Sequence, residues 1–122
     1  MATHTYARRL QVHELALEIA VQTARLSRTL AGPGAATRAD QLVRAALAIS
    51  SNIAEAAGQA TGPERRRFFA YARGSAREAL TQLRIAAALD LGHAREIHLL
   101  EGQLAVVMQT LGRLIAHPPP DR

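Results

Sequence analysis

Cysteine is absent from the chain, so neither a disulfide framework nor a thiolate metal site is open to it. Lysine is absent too. All 15 basic residues are Arg, whose guanidinium suits phosphate and carboxylate recognition better than an ammonium does. Tryptophan is missing and aromatics make up only 3% of the residues, which leaves Ala and Leu to fill any core. Both are strong helix formers. No apolar run approaches the roughly 20 residues that a membrane-spanning helix requires, so no membrane partner is expected. Met1 to Arg9 lacks the apolar centre of a secretory signal, and a cytoplasmic location is the expectation.

What remains is enough for one core. A chain of 122 residues that is 48% hydrophobic suits a single domain. Each Ala buries little area, so such a chain gains stability by burying more surface between subunits. The net charge of +5 leaves room for an acidic partner.

Four stretches carry helical periodicity. Val12, Ala16, Ile19, Thr23, Leu26 and Leu30 recur at alternating spacings of four and three, which predicts a first helix over about Leu10 to Leu30. Gly32-Pro33-Gly34 then breaks the chain. Leu42, Ala46, Ile49, Ile53 and Ala56 mark a second helix from Arg38 to Ala57, and Val43 and Leu47 widen its stripe as if it were covered on two sides. Thr61-Gly62-Pro63-Glu64 reads as a capping box at the start of a third helix. Along it Phe68, Ala72, Ser75, Ala79, Gln82, Ala86 and Leu89 form one seam, and Phe69, Ala76, Leu80, Leu83 and Ala87 a second. Gly92 closes that helix. Ile97, Leu100, Leu104, Val107, Leu111 and Leu114 give the strictest repeat, over Ala94 to Ala116, and Pro118-Pro119-Pro120 ends it. No segment alternates with the period of a strand. The fold class predicted is all-α, an antiparallel up-and-down four-helix bundle, with a flexible tail over 1–9, the bundle over 10–117 and a second tail over 118–122.

Ser51-Asn52-Ile53-Ala54-Glu55, the Phe68-Phe69-Ala70-Tyr71-Ala72-Arg73-Gly74-Ser75 segment, and Glu78, Gln82-Leu83, Ile85-Ala86 and Leu91-Gly92 together resemble one family. It is the four-helix bundle proteins named after the 23S rRNA intervening sequence, to which the accessory protein of diversity-generating retroelements is similar. The chain departs from the family pattern at Ser50, Ala56, Gln59 and Leu80, each of which suits a helix or its end. The resemblance implies a homo-oligomeric ring, typically a pentamer, with no enzymatic activity and no cofactor. For the retroelement branch it implies binding of nucleic acid (RNA or DNA) and of a reverse transcriptase.

The residues supply their own candidates. Arg66, Arg73, Arg77 and Arg84 are spaced by seven, four and seven and so fall within ~40° on one helical ridge. No acid shares that ridge. It reads either as a phosphate-contacting stripe or as a solvated or subunit-pairing face of a structural scaffold without nucleic-acid affinity. Cations at Arg65, Arg66 and Arg67 oppose the helix dipole, which suggests snorkelling or a partner. Asn52, Glu55, Ser75, Glu78 and Gln82 are candidates for a polar layer fixing the register of helices two and three.

Catalytic and metal constellations do not assemble. His13-Glu14 begins like a zinc-protease motif, but Leu17 stands where the second ligand belongs. His93 and His98 point to different faces, and Glu-x-x-His pairs are lacking. Ser27, Ser50, Ser51 and Ser75 have no neighbouring His with an orienting third group. Gly74, Gly102 and Gly112 sit inside helices, where close helix approach, within the bundle or between subunits, is the expected reason. Leu99, Val106, Met108 and Ile115 exceed the main stripe of helix four and point to an interface.

Overall fold

The structure, a computed structural model, describes residues 2–58 and 61–117, with side chains from Gln11 onward. The expected tail over 118–122, and Gln59, lie outside the described residues. Four helices follow one another: α1 (Ala2–Ser27), α2 (Ala35–Gly58), α3 (Gly62–Ala88) and α4 (Ala94–Ala116). Among the described residues there is no strand.

Three of the helices lie close to their sequence-derived bounds, and α4 coincides with them. Helix α1 is the difference. It starts at Ala2 rather than near Leu10, so helical backbone extends over the segment expected as a flexible tail. No Gly or Pro precedes Gly32 to stop it, and Ala2, Ala7, Arg8, Arg9 and Leu10 all favour helix. The chain turns after α1 with Gly32 at φ +88°, in the left-handed region open to glycine. Thr61 caps α3, its hydroxyl accepting from the Glu64 N–H at 3.4 Å, while Pro63 occupies the first turn.

Each helix packs on the next along the chain, and α1 also packs on α4, which closes the bundle; among the described residues the diagonal pairs make no contact. The core is the set of stripes read from the spacing. Val12, Ala16, Ile19 and Leu26 come from α1, and Leu42, Ala46, Ile49, Ile53 and Ala56 from α2. Helix α4 buries Ile97, Leu100, Leu104, Val107, Leu111 and Leu114. Thr23 is buried among them without cost in unmade hydrogen bonds, because its hydroxyl donates to the Ile19 carbonyl at 2.8 Å.

Helix α3 differs from expectation. Its two seams merge into one buried stripe, Phe69, Ala72, Ala76, Ala79, Leu83 and Ala86, with Phe68, Ser75, Gln82 and Leu80 half-buried on its flanks. Ala on so many inward positions lets α3 sit close to α2, which itself presents Ala45, Ala46 and Ala56. That pair accordingly shares the most extensive contact, and α1 with α4 the least. Leu47 of α2, expected to be covered, is 50% exposed. A methyl group on Gly92 would come 3.2 Å from Leu26 Cδ1, so the α3–α4 connection rests against the C-terminal end of α1.

Candidate nucleic-acid interface

Helix α3 positions every candidate cation. Its buried stripe fixes its rotation, and the four ridge arginines fall roughly 100° away round the helix. Arg66, Arg77 and Arg84 are exposed and Arg73 is half-buried. From Arg66 to Arg84 the ridge runs about 27 Å along the axis at 1.5 Å per residue. It borders the groove between α3 and α4, since a methyl group on Gly112 would come 3.6 Å from Arg73 Nη1. None of the four forms an ion pair among the described residues. An exposed pair does form on α2, where Arg44 Nε lies 3.1 Å from Asp40 Oδ2.

Arg65 behaves differently from its two neighbours. It stands four residues before Phe69, on the core stripe, and is only 2% exposed. The Arg65-Arg66-Arg67 run therefore splits three ways. Arg65 turns inward, Arg66 joins the ridge, and the Arg67 guanidinium lies over the Phe68 ring at 5.5 Å. Phe68 in turn meets Tyr71 edge-on at 5.7 Å. Tyr71 is 53% exposed, so α3 carries an exposed aromatic that the ridge pattern did not reveal. The spacing of Arg67, Phe68 and Tyr71 at one and three residues was the available signal.

The polar-layer candidates are placed as follows. Gln82 is half-buried and donates through Nε2 to Gln41 Oε1 at 3.2 Å, which links α2 to α3. Asn52 is half-buried but donates to the Ala48 carbonyl of its own helix at 2.9 Å. Ser75 is half-buried, and Glu55 and Glu78 are exposed. The cross-helix link thus runs through Gln41, a residue outside the expected set. Similarly, Gln103 of α4 donates to Glu18 of α1 at 3.4 Å.

The helix-interior glycines do not mark close approach inside the protomer. A methyl group on Gly74 or Gly102 would meet nothing within 4 Å, and one on Gly112 would meet only the end of Arg73. Outward apolar surface accompanies Gly102: Leu99 is 63% and Val106 51% exposed on either side of it. Met108 and Ile115 are half-buried against the core instead. Among the described residues no group of three or more His, Asp and Glu side chains could hold a metal. Among the described residues no helix is long and apolar enough to cross a membrane.

Fold and surface together define a small four-helix bundle with an arginine ridge on one helix that forms no ion pair among the described residues. Residues 8–113 match the 23S rRNA-intervening sequence protein family, and the chain belongs to that family. Its backbone is similar to the crystal structure of a protein of unknown function from the S23 ribosomal protein family of Bacteroides thetaiotaomicron VPI-5482. That similarity has a TM-score of 0.77 at 17% identity and covers 85% of this chain and 97% of the other. At that identity the likeness concerns the fold alone. No curated protein matches the sequence. Neither the family nor the structural neighbour carries an enzymatic description.

Proposed function

We propose that this chain is a non-enzymatic cytoplasmic binding protein that self-assembles and grips the phosphate backbone of nucleic acid, RNA first, through Arg66, Arg73, Arg77 and Arg84. The observation that supports the reading is the ridge itself. Four guanidinium groups stand on one flank of one helix, and none has an ion-pair partner among the described residues. Guanidinium donors arranged in a row bind successive phosphates and read no base, because phosphate contacts position a ligand without specifying its sequence. The homo-oligomer is the second part of the reading, with five copies in a ring as the family resemblance implies. It is supported by the outward Leu17, Val21, Leu99 and Val106, each more than two-fifths exposed.

The test is direct. Fluorescence anisotropy with a labelled single-stranded RNA oligomer is expected to show salt-sensitive binding by the native protein. The pair Arg73→Glu with Arg84→Glu should weaken it by about tenfold or more, because two contacts are lost and two repulsions gained. An affinity unchanged by the pair, or no binding by the native protein at low salt, overturns the reading in favour of a scaffold whose arginines do not serve nucleic acid.

A further inference from the structure

Two outward helix faces that the protomer leaves uncovered are built to the same spacing. On α1, Glu14, Leu17, Val21 and Arg25 are all exposed and point away from the core stripe of Val12, Ala16 and Ile19. On α3, Arg67, Glu78 and Gly74 are exposed and Ala70 half-buried, on a strip roughly 90° round the helix from the arginine ridge. A single shift of 53 positions carries each α1 residue onto its α3 counterpart. It sets Glu14 against Arg67 and Arg25 against Glu78, so the charges are opposite at both ends. Between them it sets Leu17 against Ala70 and Val21 against Gly74, large apolar against small.

We propose that the outer face of α1 docks on the outer face of α3 of a second copy of this chain. Charge complementarity argues for that occupant. An acid and a base on α1 find their opposites on α3 in one register, and reversing the direction of one helix would bring like charges together. In an up-and-down path α1 and α3 run the same way and occupy diagonal corners that do not touch within the protomer. The contact is therefore heterologous: each copy offers α1 to one neighbour and α3 to the other, the arrangement that closes into a ring when the rotation permits. Gly74 then has a reason. A glycine in an exposed helix interior is unfavourable beside Ala, and nothing in the protomer lies within 4 Å of the methyl group it lacks. The missing side chain leaves the notch that Val21 of the neighbour enters. The strip leaves Arg66, Arg73, Arg77 and Arg84 outside the contact.

The inference rests on the self-assembly part of the reading above and not on its nucleic-acid part. The experiment accordingly reads mass, not RNA affinity. Light scattering on the purified full chain is expected to give a multiple of the 13.1 kDa protomer. Arg67→Glu should reduce the mass to that of the protomer, and Glu14→Arg combined with Arg67→Glu should restore it. Gly74→Leu, which can only raise helix propensity at an open position, should also give protomers, with helical circular dichroism retained in all variants. A native protein that is already monomeric overturns the proposal. So does an assembly that survives Arg67→Glu and Gly74→Leu, or one that the paired reversal fails to rescue.

Discussion

The inward and outward faces of α3 use the same helix for opposite ends. The inward stripe is built from Phe69, Leu83 and four small Ala side chains, all no more than 3% exposed. Its energetics depend on shape: every position is buried in the common core, and a methylene more or less is felt. On the outward ridge Arg66, Arg77 and Arg84 are exposed and Arg73 is half-buried beside α4, and none of the four forms an ion pair among the described residues. Stability therefore resides on one side of the helix, and the recognition we propose resides on the other. Because the two are about 100° apart, each is open to change without the other.

That separation can be broken first from the inside. Phe69→Ala removes the largest apolar side chain of the stripe, 1% exposed in the native fold, and should cost about 3–5 kcal/mol. For a bundle of this size such a loss leaves little folded protein, as a thermal melt followed at 222 nm would show. Overfilling comes next. Ala76, fully buried between neighbours, has no room for Leu, so Ala76→Leu should destabilise by about 1–3 kcal/mol in urea titration. Thr61→Ala removes the hydroxyl that accepts from the Glu64 N–H and should cost about 1 kcal/mol, read as a lower urea midpoint with an unchanged slope. Smallest of all is the outward change. Arg77→Glu with Arg84→Glu should change unfolding stability by less than about 0.5 kcal/mol, since both side chains are exposed and surface substitutions away from caps and cores stay in that range. A large stability loss there would mean that the ridge is part of the packing after all.

How much of this was legible depended on side-chain size. The α4 stripe is spelled in Leu, Ile and Val at strict spacing, so its six buried positions follow from periodicity, and its ends follow from Gly92 before it and Pro118-Pro119-Pro120 after it. On α3 four of the seven buried positions are Ala, which marks a face weakly. Two seams were therefore read where one stripe exists, and Ser75 and Gln82 lie on its flank. Arg65 was illegible for a different reason: a basic residue is read as outward, yet its place four before Phe69 puts it on the stripe. The early start of α1 escaped notice because nothing caps it in the sequence. The alignment of the four ridge arginines was legible, because the angle between residues depends only on helix geometry. Their freedom from ion pairs was not, since that depends on which acids the fold brings near.

The measurement that bears most directly on the ridge is the salt dependence of RNA affinity for the native protein and the Arg73→Glu, Arg84→Glu pair. Four phosphate contacts on a single strand predict a slope of log affinity against log salt of about −3, and loss of two contacts should reduce its magnitude by at least 1. Equal slopes for the two proteins, or a native affinity indifferent to salt, would contradict the assignment of these guanidinium groups to phosphate.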